Sequence, residues 1–171
     1  MYGKGASYIL FSNNLSKDRI EEYIPPKMGC TTDYMEIYLT EGKSAGSHVE
    51  KARYDFQAIY KLRGKVDNVY DVAIGDMSKM KIIEDLSRII GLVPGKRGNI
   101  IPDRILALTD ADPDGMFIRA SIVSIMACAF PQVIEEGRLY MVEPPLFAFK
   151  DSGKKVFVST NREYLTYLQK E

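Results

Sequence analysis

Apolar positions along the 171-residue chain follow two rhythms. Short runs such as MEIYL (35–39), ending at Thr40-Glu41-Gly42, and RILALT (104–109) read as strands. Between them Ile82, Ile83, Leu86, Ile89 and Ile90 recur at helical spacing, and Gly91 stops that helix. Ser44 is placed to cap a helix through AGSHVEKARY. The unbroken apolar character of 104–109 predicts a strand buried on both faces. The segment from Pro113 to Phe130 is apolar nearly all round and predicts a central helix. PQVIEEG reads as a short helix and RLYMVE as a strand. LFAFKDSGKKVFVS reads as a hairpin turning at Asp151-Ser152-Gly153, and NREYLTYLQKE as a tail helix. Residues 1–30 are weakly patterned. Alternating strands and helices imply an α/β fold, with a mostly parallel central sheet flanked by helices and a C-terminal β-hairpin.

Composition narrows the classes without choosing among them. The length suits one domain with a small appendage, and 46% apolar residues suffice for a proper core. Formal charge is zero, so no chain-wide basic field advertises a polyanion; such a partner must be met by a local patch or through metal ions. Cys30 and Cys128 lack metal-ligand spacing and read as reduced thiols of a cytoplasmic protein. IVSIMACAF (122–130) is too short to cross a bilayer, and MYGKGASYIL shows no signal-peptide pattern.

The candidate chemistry sits in ILALTDADPDGMFIRA (105–120), where Asp110, Asp112 and Asp114 interrupt an apolar run on alternate positions. Carboxylates this close repel by about 1 kcal/mol per pair in water, and by more where water is scarce. In open α/β sheets, sites form at the carboxyl ends of strands. Two strands end in acid here, at Glu41 and at Asp110. If they are neighbours, Glu41, Asp110 and Asp112 converge on one rim. An oxygen-only cluster suits a hard octahedral ion, with Mg²⁺ first in line. A structural account competes for part of it: Asp112-Pro113 has the form of an N-cap before a first-turn proline, with Asp114 favouring the helix dipole. That account leaves Glu41 and Asp110 unexplained.

Two other motifs fail on spacing. The Asp110-Asp112-Asp114-Gly115 series begins like an EF-hand loop, but its twelfth position is Ser121, and a strand leads into it. Gly42-Lys43-Ser44 suggests a phosphate loop, but the required upstream glycine falls on Ile37. His48 reads as a solvated or capping residue, Lys96 and Arg97 as a solvated loop, and Met77, Met80 and Met126 as packing groups. Ser44 has no base placed to make it a nucleophile.

EGKSAGS (41–47), KLRGKVDNV (61–69), TDADPDGMFIR (109–119) and GRLYMVEPPLFAF (137–149) occur in an order that resembles the Toprim domain of type IIA DNA topoisomerases. The similarity is closest to gyrase B and topoisomerase IV B subunits and their viral relatives. PPKMGC (25–30) is similar to a further motif of these proteins, so the resemblance runs from about Pro25 to the end. It implies a Rossmann-like Toprim fold over 25–150, a lead-in over 1–24, and a hairpin strand and the start of a tail helix over 151–171.

By the same resemblance, Glu41, Asp110 and Asp112 are the catalytic and metal-holding acids, with Asp114 in support. Glu41 is the acid/base, and Arg63 and Lys65 lie near the cleaved DNA backbone. Lys43, which stands where the family has Asp, adds a cation that could reach phosphate. The cofactor implied is Mg²⁺, with Mn²⁺ or Ca²⁺ as substitutes in binding; ATP enters only through domains outside this stretch. The implied activity is DNA cleavage and religation within an ATP-hydrolysing type II topoisomerase. The nucleophilic tyrosine comes from an A-type partner in a heterotetramer, because none of the eleven tyrosines here sits in the nucleophile's pattern. The isolated chain is then expected to be inactive. The expected partner is double-stranded DNA, with no membrane, in the cytoplasm at the nucleoid or in a host cytoplasm if viral. Lys61, Asp67, Phe117 and Ser47 also depart from the family pattern and mark a divergent member. The rival expectations are another Toprim enzyme, such as a primase or OLD-type nuclease, and a non-catalytic DNA-binding or assembly module.

Overall fold

The computed structural model describes residues 20–27, 34–62, 69–142 and 145–169, with residues 43–45 described by backbone alone. Strand β2 (Glu36–Glu41) is central, and its Ile37 and Leu39 are fully buried. It pairs in parallel with β3 (Gln57–Leu62) on one side and β4 (Arg104–Leu108) on the other, so that Leu39 lies opposite both Tyr60 and Ala107. Strand β5 (Leu139–Val142) extends the sheet in parallel beyond β4. The two-residue β1 (Tyr23–Ile24) closes the far edge antiparallel to β3. The order is β1-β3-β2-β4-β5, the mostly parallel sheet expected.

Parallel neighbours need crossovers. Helix α1 (Gly42–Ala52) joins β2 to β3. Helices α2 (Ile74–Met77) and α3 (Lys81–Ile90) lie between β3 and β4, while α4 (Pro113–Ala129) and α5 (Pro131–Glu135) lead from β4 to β5. From the centre, the chain steps outward to β3 in one direction and to β5 in the other. Right-handed crossovers in opposite directions put their helices on opposite faces. The side chains agree: Lys61 lies against Gly46 of α1, whereas its neighbour Tyr60 reaches α3 on the other face. The chain direction therefore switches between β2 and β4, and the carboxyl ends of the strands at such a switch point are where open α/β sheets place their sites.

The core is built mainly on the α3 and α4 face. Ile83, Leu86, Ile89 and Ile90 of α3 are buried against Ile37, Leu39, Ile105 and Phe130. Each such side chain contributes roughly 1.5–3 kcal/mol by leaving water. Gly91 ends α3 at φ +82, and its N–H donates to the Ser87 carbonyl at 2.9 Å; a Cβ there would strike Ile101 at 2.7 Å. Two buried carboxylates are well partnered. The Asp85 carboxylate accepts from the Tyr60 hydroxyl at 3.0 Å and from Lys81 Nζ at 2.6 Å. Glu36 accepts from Tyr34 and from Gln57, both at 2.7 Å, with Arg104 at 3.5 Å. Burial, then the bond to Glu36, raises the Tyr34 phenol above its ordinary value. The loop over 93–99 is held rather than free: Gln132 exchanges two 2.9 Å bonds with the backbone of Gly98, and Arg97 pairs with Glu135.

Strands β6 (Phe147–Asp151) and β7 (Lys154–Val158) form the expected hairpin as a separate two-stranded sheet. Its turn residues, Ser152 and Gly153, both have positive φ, as a type I′ turn requires. Helix α6 (Asn161–Leu168) packs on one face, where Phe147 stacks on Tyr164 at 4.6 Å and Phe149 meets Tyr167 edge-on at 4.8 Å.

Three details differ from the sequence-based expectation. Helix α1 starts at Gly42, with Glu41 in the N-cap position and no side-chain cap bond, rather than being capped by Ser44. Only one face of β4 is fully buried, at Ile105 and Ala107; Leu106 and Leu108 are half-buried, because α1 covers β2 and β3 on that side. Helix α4 is not enclosed: Met116, Phe117 and Val123 lie exposed on its outer side. No helix among the described residues is long and apolar enough to cross a membrane.

Candidate active site

The two acid-terminated strands are immediate neighbours. Thr40 of β2 pairs in register with Leu108 of β4, so Glu41 and the Thr109-Asp110 step leave the sheet side by side at the switch point. Glu41 Oε2 accepts from the Asp110 backbone N–H at 3.4 Å, a long bond that joins residues 69 positions apart. Glu41 is half-buried, while Asp110, Asp112 and Asp114 are exposed. Burial is the main influence lifting the Glu41 carboxyl above its ordinary range. The Asp110 N–H opposes that, and the carboxylates of Asp110, Asp112 and Asp114 push it up further. All three aspartates thus lie within electrostatic reach of Glu41.

Local geometry follows from the residues around the acids. Asp112 caps α4: its Oδ1 accepts from Gly115 N at 2.7 Å, and Pro113 opens the helix. Asp114 occupies the first turn, where a negative charge favours the helix dipole. The turn is so tight that a Cβ on Gly115 would sit 2.1 Å from the Asp110 carbonyl oxygen. Only glycine lets α4 begin this close to the strand end. On the other side, Gly42 has φ +63 and turns β2 directly into α1. Two helix N-termini, those of α1 and α4, therefore meet the rim with their positive ends.

The structure brings Glu41, Asp110, Asp112 and Asp114 to one place. Lys43 is the second residue of α1, its side chain outside the described set, and Arg63 and Lys65 lie outside the described residues altogether. His48 is exposed on α1. No group of three or more His, Cys, Asp or Glu among the described residues is drawn tightly enough to enclose a metal ion by itself. The donors nonetheless fit a hard divalent cation: they are oxygen-only, three are exposed, and their crowding leaves an excess of negative charge. Mg²⁺ keeps several waters and shares its coordination with phosphate oxygens, so it does not need a closed protein cage.

Two residues next to the acids escaped the sequence reading. Thr40 and Thr109, each one position before an acid, are buried, and their Oγ1 atoms have no hydrogen-bond partner among the described residues. The repeated step, Thr-Glu at one strand end and Thr-Asp at the other, was the available signal.

No family model matches the chain. It is 34% identical over 140 residues to the B subunit of the type 2 topoisomerase of Aquifex aeolicus, a match covering 80% of this chain and 18% of that protein. It is 32% identical over 139 residues to the B subunit of the DNA gyrase of Thermotoga maritima, covering 79% and 22%. With the B subunit of DNA topoisomerase 4 from Pseudomonas aeruginosa it shares 34% over 125 residues, covering 71% and 20%. Among solved structures, the DNA-binding, cleavage and re-ligation domain of Plasmodium falciparum topoisomerase II superposes with a TM-score of 0.70 at 22% identity. That superposition covers 80% of this chain and 20% of the other, and shows a shared fold. The chain spans only about a fifth of the length of these relatives. Within that span, it is similar in sequence to the B subunits of type II topoisomerases.

Proposed function

We propose that this chain is the Mg²⁺-dependent DNA cleavage and religation module of a B-type topoisomerase subunit. The observation that carries the reading is the approach of Glu41 to Asp110 across the switch point, from strand ends 69 positions apart. Glu41, Asp110 and Asp112 hold the ion, and Asp114 adds charge without direct ligation. When bound, the ion supplies Lewis-acid stabilisation of the charge that develops on the phosphate.

The chain's own residues do the rest. Glu41 makes no side-chain cap bond to α1, and the N-terminal N–H groups of that helix bind phosphate oxygens beside it. Lys43, in the first turn of that helix, and Arg63 and Lys65 contact the backbone on either side of the cut. Asp112, fixed by its bond to Gly115, keeps one oxygen for the helix and offers the other to the ion. Glu41 takes the proton from the attacking hydroxyl and returns it to the leaving oxygen on religation, one group serving both directions. The attacking tyrosine belongs to an A-type partner, in a heterotetramer acting on double-stranded DNA at the nucleoid. ATP is handled by other domains of the complete protein.

Reconstitution with an A-type partner and supercoiled DNA tests this reading. A covalent protein–DNA adduct is expected after denaturation in the presence of Mg²⁺, and Glu41→Ala is expected to abolish it while the chain stays folded. Undiminished adduct with the variant would remove the catalytic assignment, and cleavage without any adduct would favour a nuclease.

A further inference from the structure

The β6–β7 hairpin treats its two faces differently. On the face toward α6, Asp151 stands opposite Lys154, a matched charge pair, and Asp151 also accepts a hydrogen bond from Tyr167. On the outward face, Lys150 stands opposite Lys155, and Ala148 opposite Phe157. Like charges directly across a two-stranded ladder oppose its pairing. No carboxylate among the described residues forms an ion pair with either lysine. Phe157 is 60% exposed, and the Lys155 ammonium sits 5.8 Å from its ring centre. A two-stranded sheet is marginal in water, so an uncompensated lysine pair and a bare phenyl ring on its outer face need another explanation.

We propose that the outward face of the β6–β7 hairpin, formed by Lys150, Lys155 and Phe157, is a docking surface for the sugar–phosphate backbone of duplex DNA, separate from the acid rim. The inference rests on the reading of DNA as this protein's substrate. Charge complementarity favours that occupant. The chain as a whole is neutral, yet this strip carries two cations with no ion-paired carboxylate among the described residues, on stems long enough to reach neighbouring phosphates. The cations satisfy phosphates, and the phenyl ring packs against the sugar edge. A strip of this kind holds a duplex in register without reading its sequence.

The test is fluorescence anisotropy of the whole chain with a labelled mixed-sequence duplex, without divalent metal, across a series of salt concentrations. The variants are Lys150→Glu, Phe157→Ala and, as a charge-matched control, Lys79→Glu at an exposed lysine paired with Asp76. Lys150→Glu replaces a like-charged cross-strand pair with an opposite-charged one, so the thermal midpoint should hold or rise. Affinity should fall about tenfold, with the slope of log K against log salt reduced by about 0.9, the loss of one phosphate contact. Phe157→Ala should weaken binding severalfold with the slope unchanged. Lys79→Glu should leave the slope as it is.

Equal affinity and slope for wild type and Lys150→Glu would overturn the proposal, as would an equal loss with Lys79→Glu. Absence of duplex binding by the wild type would overturn it too, while the metal reading would still stand or fall on the adduct assay. Loss of concentration-dependent self-association in Lys150→Glu, with DNA affinity intact, would assign the face to a second copy of the chain instead.

Discussion

Glu41 sits where its ionised form is disfavoured: partly buried, and near three other carboxylates that raise its proton affinity against the opposing Asp110 N–H. A carboxyl whose pKa is higher folded than unfolded binds its proton more readily in the folded state. The fold therefore gains relative stability as pH falls through that window, just above the ordinary glutamate value, and loses it as pH rises. Replacing Glu41 with Gln removes this effect. The metal-free variant should melt above wild type at neutral pH, by no more than about 1 kcal/mol of stability, and the difference should vanish under acid. Thermal melts of both proteins from acid to neutral pH check the sign. Asp112 has two duties that substitution separates. Asp112→Asn keeps the cap on Gly115 and should leave stability nearly unchanged, whereas Asp112→Ala should lose about 1 kcal/mol; both should weaken Mn²⁺ binding, read by calorimetry. At Gly115, even alanine cannot be placed 2.1 Å from a carbonyl oxygen. Gly115→Ala should cost at least about 2 kcal/mol by displacing the start of α4, measured by chemical denaturation.

At the scale of elements, sequence pattern found β2, β4, β5, α3, α4 and the hairpin, because each carries its rhythm and stop signals locally. It did not find β3 or the two-residue β1. The reason is visible in β3 itself: Gln57 and Lys61 interrupt its apolar run and read as surface residues. Gln57 is buried because it bonds Glu36, 21 positions away, and Lys61 is half-buried because its stem lies across Gly46 while its ammonium meets Glu50 at 3.3 Å. Tertiary partners, not local propensity, put those residues in a strand. The Asp85 anchor between β3 and α3 was hidden for the same reason. Tyr60→Phe takes the 3.0 Å hydroxyl bond away from that buried carboxylate, which then leans on Lys81, and should destabilise the protein by about 1–3 kcal/mol, measured by urea unfolding. The exposure of Met116, Phe117 and Val123 on α4 was equally illegible, since a helix apolar on all sides does not say which side the rest of the molecule will cover.

At the scale of the whole molecule, the candidate site exists only because the strand order is not the chain order. The acids were legible as types and spacings along the chain, and the ordered motifs supplied the family resemblance. That Glu41 lands beside Asp110 follows from β2 and β4 being neighbours at the reversal of the sheet, with α1 and α4 both beginning there. The same topology directs the positive ends of two helices and a surplus of carboxylate charge at one rim, an arrangement suited to a divalent cation that shares its ligands with phosphate. Anomalous diffraction at the manganese edge, from crystals of the chain soaked in Mn²⁺, tests that most directly. An anomalous peak is expected between the carboxylates of Glu41 and Asp110. A map with no peak there, or with its manganese elsewhere on the protein, would contradict the metal-holding role of these acids.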